Sequence, residues 1–118
     1  MSSAFGIFMR KYREKSGESL RTMSKRLGIS PAFLSAMEVG RKLVPADYLE
    51  IINNEYHLTP EEYKDLFVAI SESNNKVSLE LEKMNEAQKE VSMVFARKID
   101  NADPELLEKL RKVLEEND

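Results

Sequence analysis

Residues 19–42 read Ser19-Leu-Arg-Thr-Met-Ser-Lys-Arg-Leu-Gly-Ile-Ser-Pro-Ala-Phe-Leu-Ser-Ala-Met-Glu-Val-Gly-Arg-Lys42. Leu20, Met23 and Leu27 recur at the spacing of one helix face, and Leu34 and Met37 resume that spacing after a break. The break is only Gly28, Ile29 and Ser30. A glycine there adopts positive φ without steric cost, and so brief a turn holds two short helices at a steep angle. Ser30-Pro31 is a helix start: a hydroxyl that caps free backbone N–H groups, then a proline where its missing N–H costs nothing. The second helix runs to about Glu38 and ends at Gly40. Small Ser24, four residues before Gly28, suits a close approach of the two helices, with Ile29, Leu34 and Met37 as the apolar lock beneath.

On the N-terminal side, Phe5, Phe8, Met9 and Tyr12 predict an amphipathic helix over residues 4–15, ending near Gly17. On the C-terminal side, Pro45 opens a fourth helix with Leu49, Ile52 and Tyr56 inward. Thr59-Pro60-Glu61-Glu62 combines an N-cap, a proline at the first helical position and a glutamate three residues after the cap, which is a capping box. The fifth helix carries Tyr63, Leu66, Phe67 and Ile70 and fades in Ser71-Glu72-Ser73-Asn74-Asn75. Val77, Leu79 and Leu81 alternate as in a strand, but no second strand-like segment exists to pair with them, so a short helix is expected over residues 76–84. Ala87, Val91, Val94, Phe95 and Ile99 define a further helix, and Asp103-Pro104 caps a last one bearing Leu106, Leu107, Leu110, Val113 and Leu114. The expected fold is all-α: a five-helix domain over residues 1–73, then an acidic helical extension over residues 74–118.

Composition removes several kinds of chemistry. The 118 residues contain no cysteine and one histidine, His57, which excludes disulfide scaffolds, thiol catalysis and Cys-based zinc sites. No Gly-rich phosphate loop, Ser/His/Asp arrangement or metal-ligand cluster is present, and carboxylate pairs such as Glu61-Glu62 and Glu115-Glu116 fall at helix starts or frayed ends. No catalytic residue, metal or cofactor is expected. His57, at a helix end, suits the helix dipole better than a metal. Apolar runs reach only about five residues, as in Leu66-Phe67-Val68-Ala69-Ile70, against the ~20 of a membrane helix. The N-terminus lacks the charge-then-apolar order of a signal peptide. A soluble, cytoplasmic protein that does not bind membranes is expected.

The net charge of −3 averages two unlike parts. Residues 1–45 hold nine Lys/Arg against three acids, a net +6, whereas residues 46–118 hold nine against eighteen, a net −9. Such a split points to one end that faces a polyanion and another kept away from it. A short helix held outward on a basic scaffold has the width that enters a DNA major groove.

The same 24 residues resemble the lambda-repressor-like, XRE-type helix-turn-helix family, and the resemblance extends over roughly residues 3–70. It implies five packed helices and phosphate contacts at the starts of the second and third helices and in the loop after the third. In this chain those become Arg21, Ser30, Arg41 and Lys42. It also implies that the third helix meets base edges, through Ser30, Pro31, Ala32, Phe33, Ser35 and Ala36. Two departures stand out: Leu20-Arg21 occupies the place of a frequent glutamine, and the groove-facing positions lack the Arg, Gln and Asn that read bases by paired hydrogen bonds. Discrimination would rest on the Ser30 and Ser35 hydroxyls, thymine methyl contacts and DNA shape. Phe33 would be either a methyl-reading aromatic or a partly buried one. The family pairs an arginine of the first helix with a glutamate near the end of the third, here Arg13 and Glu38, and a charge buried beside Leu34 and Met37 would need such a partner.

A double-stranded DNA partner follows, together with transcription regulation, most simply repression. The C-terminal helices, richer in apolar stripes than a five-helix domain requires, suit a homodimer over a fold-back on the core. The alternative is an antitoxin or other protein-interaction module, whose acidic C-terminal helices would take a protein partner.

Overall fold

Ser3, Ser19, Ser30 and Thr59 each lie in extended backbone, and each turns its hydroxyl oxygen onto the backbone N–H three residues ahead. At all four a helix begins, because a side-chain acceptor satisfies a donor the first turn leaves open. The structure, a computed structural model, describes residues 2–116. The helices are α1 (Ala4–Ser16), α2 (Leu20–Leu27), α3 (Pro31–Glu38), α4 (Tyr48–Tyr56), α5 (Pro60–Ser73), α6 (Glu86–Lys98) and α7 (Pro104–Glu116), with 3₁₀ turns at Leu81–Lys83 and Ile99–Asn101. There is no strand among the described residues, and the fold class is all-α. None of their helices is long and apolar enough to cross a membrane.

The chain divides into two compact units, Met1–Val77 and Ser78–Asp118. In the first, α1 packs on α3 and α5, α3 on α2, and α4 on α2 and α5. Their inner faces meet in one core of Phe5, Met9, Met23, Leu34, Met37, Val44, Ile52, Leu66 and Ile70. Burial of that much apolar surface, at ~25 cal/mol per Å², is what allows helices of eight or nine residues to persist, since such helices are marginal alone. The second unit holds α6 and α7 and has no buried side chain among its described residues.

Two local expectations change. α4 starts at Tyr48, not at Pro45. The cause lies 30 residues away: the Asn74 side chain accepts the Val44 N–H (2.9 Å) and donates to the Val44 carbonyl (2.8 Å), pinning that stretch extended over the core. Pro45 then heads a turn, its carbonyl accepting the Tyr48 N–H at 3.0 Å. Residues 76–84 do not form a short helix; the backbone stays irregular to Glu80 and only Leu81–Lys83 makes a 3₁₀ turn. Apolar residues two apart cannot line one helix face, and no capping side chain stands at Glu80.

The capping box forms as read, with Thr59 and Glu62 bonding each other's backbone N–H and Lys15 reaching Glu62 at 2.9 Å. The Thr59 backbone N–H, followed by Lys15, holds the Glu62 carboxyl below its ordinary 4.5. A depressed carboxylate pKa adds stability above the unfolded value, and that stability disappears as pH falls through the folded one. Glu62→Gln keeps the cap but not the charge. The parent's advantage over Glu62→Gln should therefore be full above about pH 5 and shrink toward pH 3, as read by urea titrations at each pH.

Candidate nucleic-acid interface

α2 closes in a Schellman arrangement. Gly28, at φ 73°, donates its N–H to the Lys25 carbonyl (3.2 Å), and Ile29 donates to Ser24 (3.0 Å). Ser24, almost fully buried, directs its hydroxyl to the Arg21 carbonyl at 2.8 Å and leaves room for α3. Ser30 then caps α3, its oxygen accepting the Phe33 N–H at 3.1 Å. The hydroxyl proton of Ser30 makes no bond among the described residues and is available to a phosphate oxygen.

α3 turns Leu34, Met37 and Glu38 into the unit. Its first turn faces outward, with Ser30, Pro31 and Ala32 exposed and Phe33, Ser35 and Ala36 half-buried. Phe33 lies edge-on to the Tyr48 ring, with centroids 6.4 Å apart, so one flank of the ring supports α4 while the other remains accessible. The helix ends by the device that ended α2: Gly40 donates to Met37 (3.2 Å), while the Arg41 and Lys42 N–H groups both reach the Ala36 carbonyl, at 2.9 and 3.3 Å. That fold-back fixes Arg41 and Lys42 beside the last turn of α3, with both residues exposed. Arg21 is exposed in the first turn of α2.

The remaining cations sort themselves by partner. Arg13 grips Glu38 with both guanidinium nitrogens, at 2.6 and 2.8 Å, and Arg10 stands 3.8 Å from the same carboxylate. Arg26 bonds Glu18 and Glu55 and lies 4.0 Å over the Tyr56 ring. Burial, and then the hydrogen bond to Glu18, raise the Tyr56 phenol well above its usual range, so it remains a proton donor within that cluster. Among the described residues Lys11, Arg21, Lys25, Arg41 and Lys42 make no ion pair. Counting charge along the chain treats all nine cations alike; three-dimensional pairing engages Arg13, Lys15 and Arg26 and leaves Arg21 and Lys25 on α2, Arg41 and Lys42 in the loop after α3, and Lys11 on α1 without an ion pair. Lys11 and Lys25 were not singled out from sequence. Gly6 was also missed, although an isolated glycine inside a helical pattern signals a packing contact. No three His, Cys, Asp or Glu among the described residues are grouped to hold a metal ion.

What this arrangement can do is present a narrow rod with a polar N-terminal edge and unpaired cations before and after it. No curated protein and no solved structure matches the chain. A family model described as "Helix-turn-helix domain" matches residues 4–66, which span α1 to the middle of α5. The chain belongs to the helix-turn-helix domain family.

Proposed function

We propose that this protein is a sequence-specific, DNA-binding transcriptional repressor of the cytoplasm that lays α3 in the major groove and acts as a homodimer. The observation that carries this reading is that Arg13, Lys15 and Arg26 are paired with carboxylates, while Arg21 before the rod and Arg41 and Lys42 just after it are exposed and make no ion pair among the described residues. Ser30 and Arg21 would meet phosphates at the helix starts, and Arg41 and Lys42 at the loop. Ser30 and Ser35 would read base edges, while Pro31, Ala32, Phe33 and Ala36 would press on thymine methyls. Two copies would set their rods about 34 Å apart, one helical turn of DNA. An acidic second unit stays clear of the phosphates.

The test is selection of DNA from a random pool followed by titration against salt. A palindromic consensus is expected. Arg41→Gln with Lys42→Gln should weaken binding to all sequences together and reduce the slope of log affinity against log salt by about 2 per copy, hence about 4 for a dimer. Unchanged affinity and slope in that variant would rule out the docking. A pool that yields no consensus, with capture of a small basic protein instead, would favour the interaction module.

A further inference from the structure

The second unit has only about forty residues, a length at which a chain rarely builds a core without metals, disulfides or a partner. Its two helices show what is missing. Val91 is 68% exposed and Leu114 66%, and Val94, Phe95, Leu106, Leu107 and Val113 are exposed as well. α6 and α7 do not close on each other, and an apolar groove of about 210 Å³ remains between them.

The charges identify the occupant. On α7, Arg111 pairs with Glu108 and Glu115, and Lys109 with Glu105. On α6, by contrast, Glu86, Lys89, Glu90, Arg97 and Lys98 make no ion pair among the described residues. Val94 lies between Glu90, one turn before it, and Arg97, one turn after it. A sequence that reads acid, apolar, base from one end is its own complement from the other, which is what a twofold interface demands. Parallel pairing would instead oppose like charges and align the helix dipoles.

We infer that α6 of a second copy crosses α6 antiparallel at Val94, so that Glu90 of each copy meets Arg97 of the other and the apolar stripes of the two units are covered together. This rests on the homodimer proposed above and names its surface. The test is sedimentation equilibrium of the full chain up to about 100 µM, where an interface of micromolar Kd is saturated. The parent should weigh as a dimer. Glu90→Arg and Arg97→Glu should each raise the dimer Kd tenfold or more, and the double variant should return close to the parent, because the swapped charges again face opposite ones. Val94→Asp should give a monomer with unchanged helical circular dichroism. A parent that is monomeric throughout, or a double variant no better than the singles, would overturn the inference. A dimer indifferent to all these variants would overturn this interface and leave the homodimer standing. A monomer that still shows the salt-dependent DNA binding proposed above would overturn both the interface and the homodimer and leave groove docking intact.

Discussion

Gly6→Ala is expected to cost the first unit about 3 kcal/mol or more, at or beyond the upper end of what overpacking a core usually costs. At an exposed position inside a helix the same substitution gains about 1 kcal/mol, because alanine loses less backbone entropy than glycine. Here the sign reverses, and the reason is a single contact. A Cβ on Gly6 would stand 2.1 Å from the carbonyl oxygen of Glu38 and 2.8 Å from its carbonyl carbon, both backbone atoms that cannot swing aside. That carbonyl is already held by the Ser3 N–H and the Ser3 hydroxyl, each at 2.9 Å, so the first turn of α1 is bolted to the last turn of α3. To admit a methyl group, α1 must lift off α3, breaking both bonds and opening the core around Phe5 and Met37. Urea titration by circular dichroism reads the loss. DNA affinity should fall with it, since the loop bearing Arg41 and Lys42 hangs from the same turn. A midpoint at or above the parent's would mean that the two backbones are not in contact.

That contact also marks where sequence reading stops. Ser30-Pro31 and Thr59-Pro60-Glu61-Glu62 were legible because a cap is completed within four residues, and the structure closes both. Gly28 was legible for the same reason: the turn and both helices it joins lie within one short stretch. The start of α4 was not, because what holds Val44 extended is Asn74, brought there only by the packing of α5. Gly6 could be noticed as a glycine in a helix, but not what it approaches, since the Glu38 carbonyl carries no trace in the residue type. The candidate interface divides along the same line. That residues 1–45 are basic is composition; that Arg26 is absorbed by Glu18, Glu55 and Tyr56 while Arg21 is not is tertiary structure. Residues 76–84 were ambiguous because their apolar spacing suited neither a helix face nor a paired strand, and the chain there makes only one 3₁₀ turn.

Arg13→Met should be among the most destabilising single changes in the protein, at about 3–5 kcal/mol, the range seen when one partner of a buried ion pair is removed. Glu38 is 3% exposed and Arg13 11%, so neither charge can be handed back to water without moving α1 or α3. The two substitutions that break the pair are not equivalent. Losing Arg13 strands a carboxylate whose next cation, the half-exposed Arg10, lies 3.8 Å away and outside hydrogen-bond reach. Glu38→Gln leaves a neutral oxygen that still accepts a bond from Arg13, and should cost less, about 2 kcal/mol. Arg13→Met combined with Glu38→Leu should recover most of the loss, because two apolar side chains of similar volume remove the desolvation penalty along with the pair. The Glu38 backbone carbonyl, which accepts from the Ser3 N–H and hydroxyl, survives that exchange. A double-mutant cycle in urea isolates the coupling. Strong coupling with DNA binding preserved in the double variant would make the pair a fastener between α1 and α3 and nothing more. Coupling near zero would mean that both charges are solvated, and the anchoring of α3 would then rest on the Ser3–Glu38 backbone contacts and the Leu34–Met37 face alone.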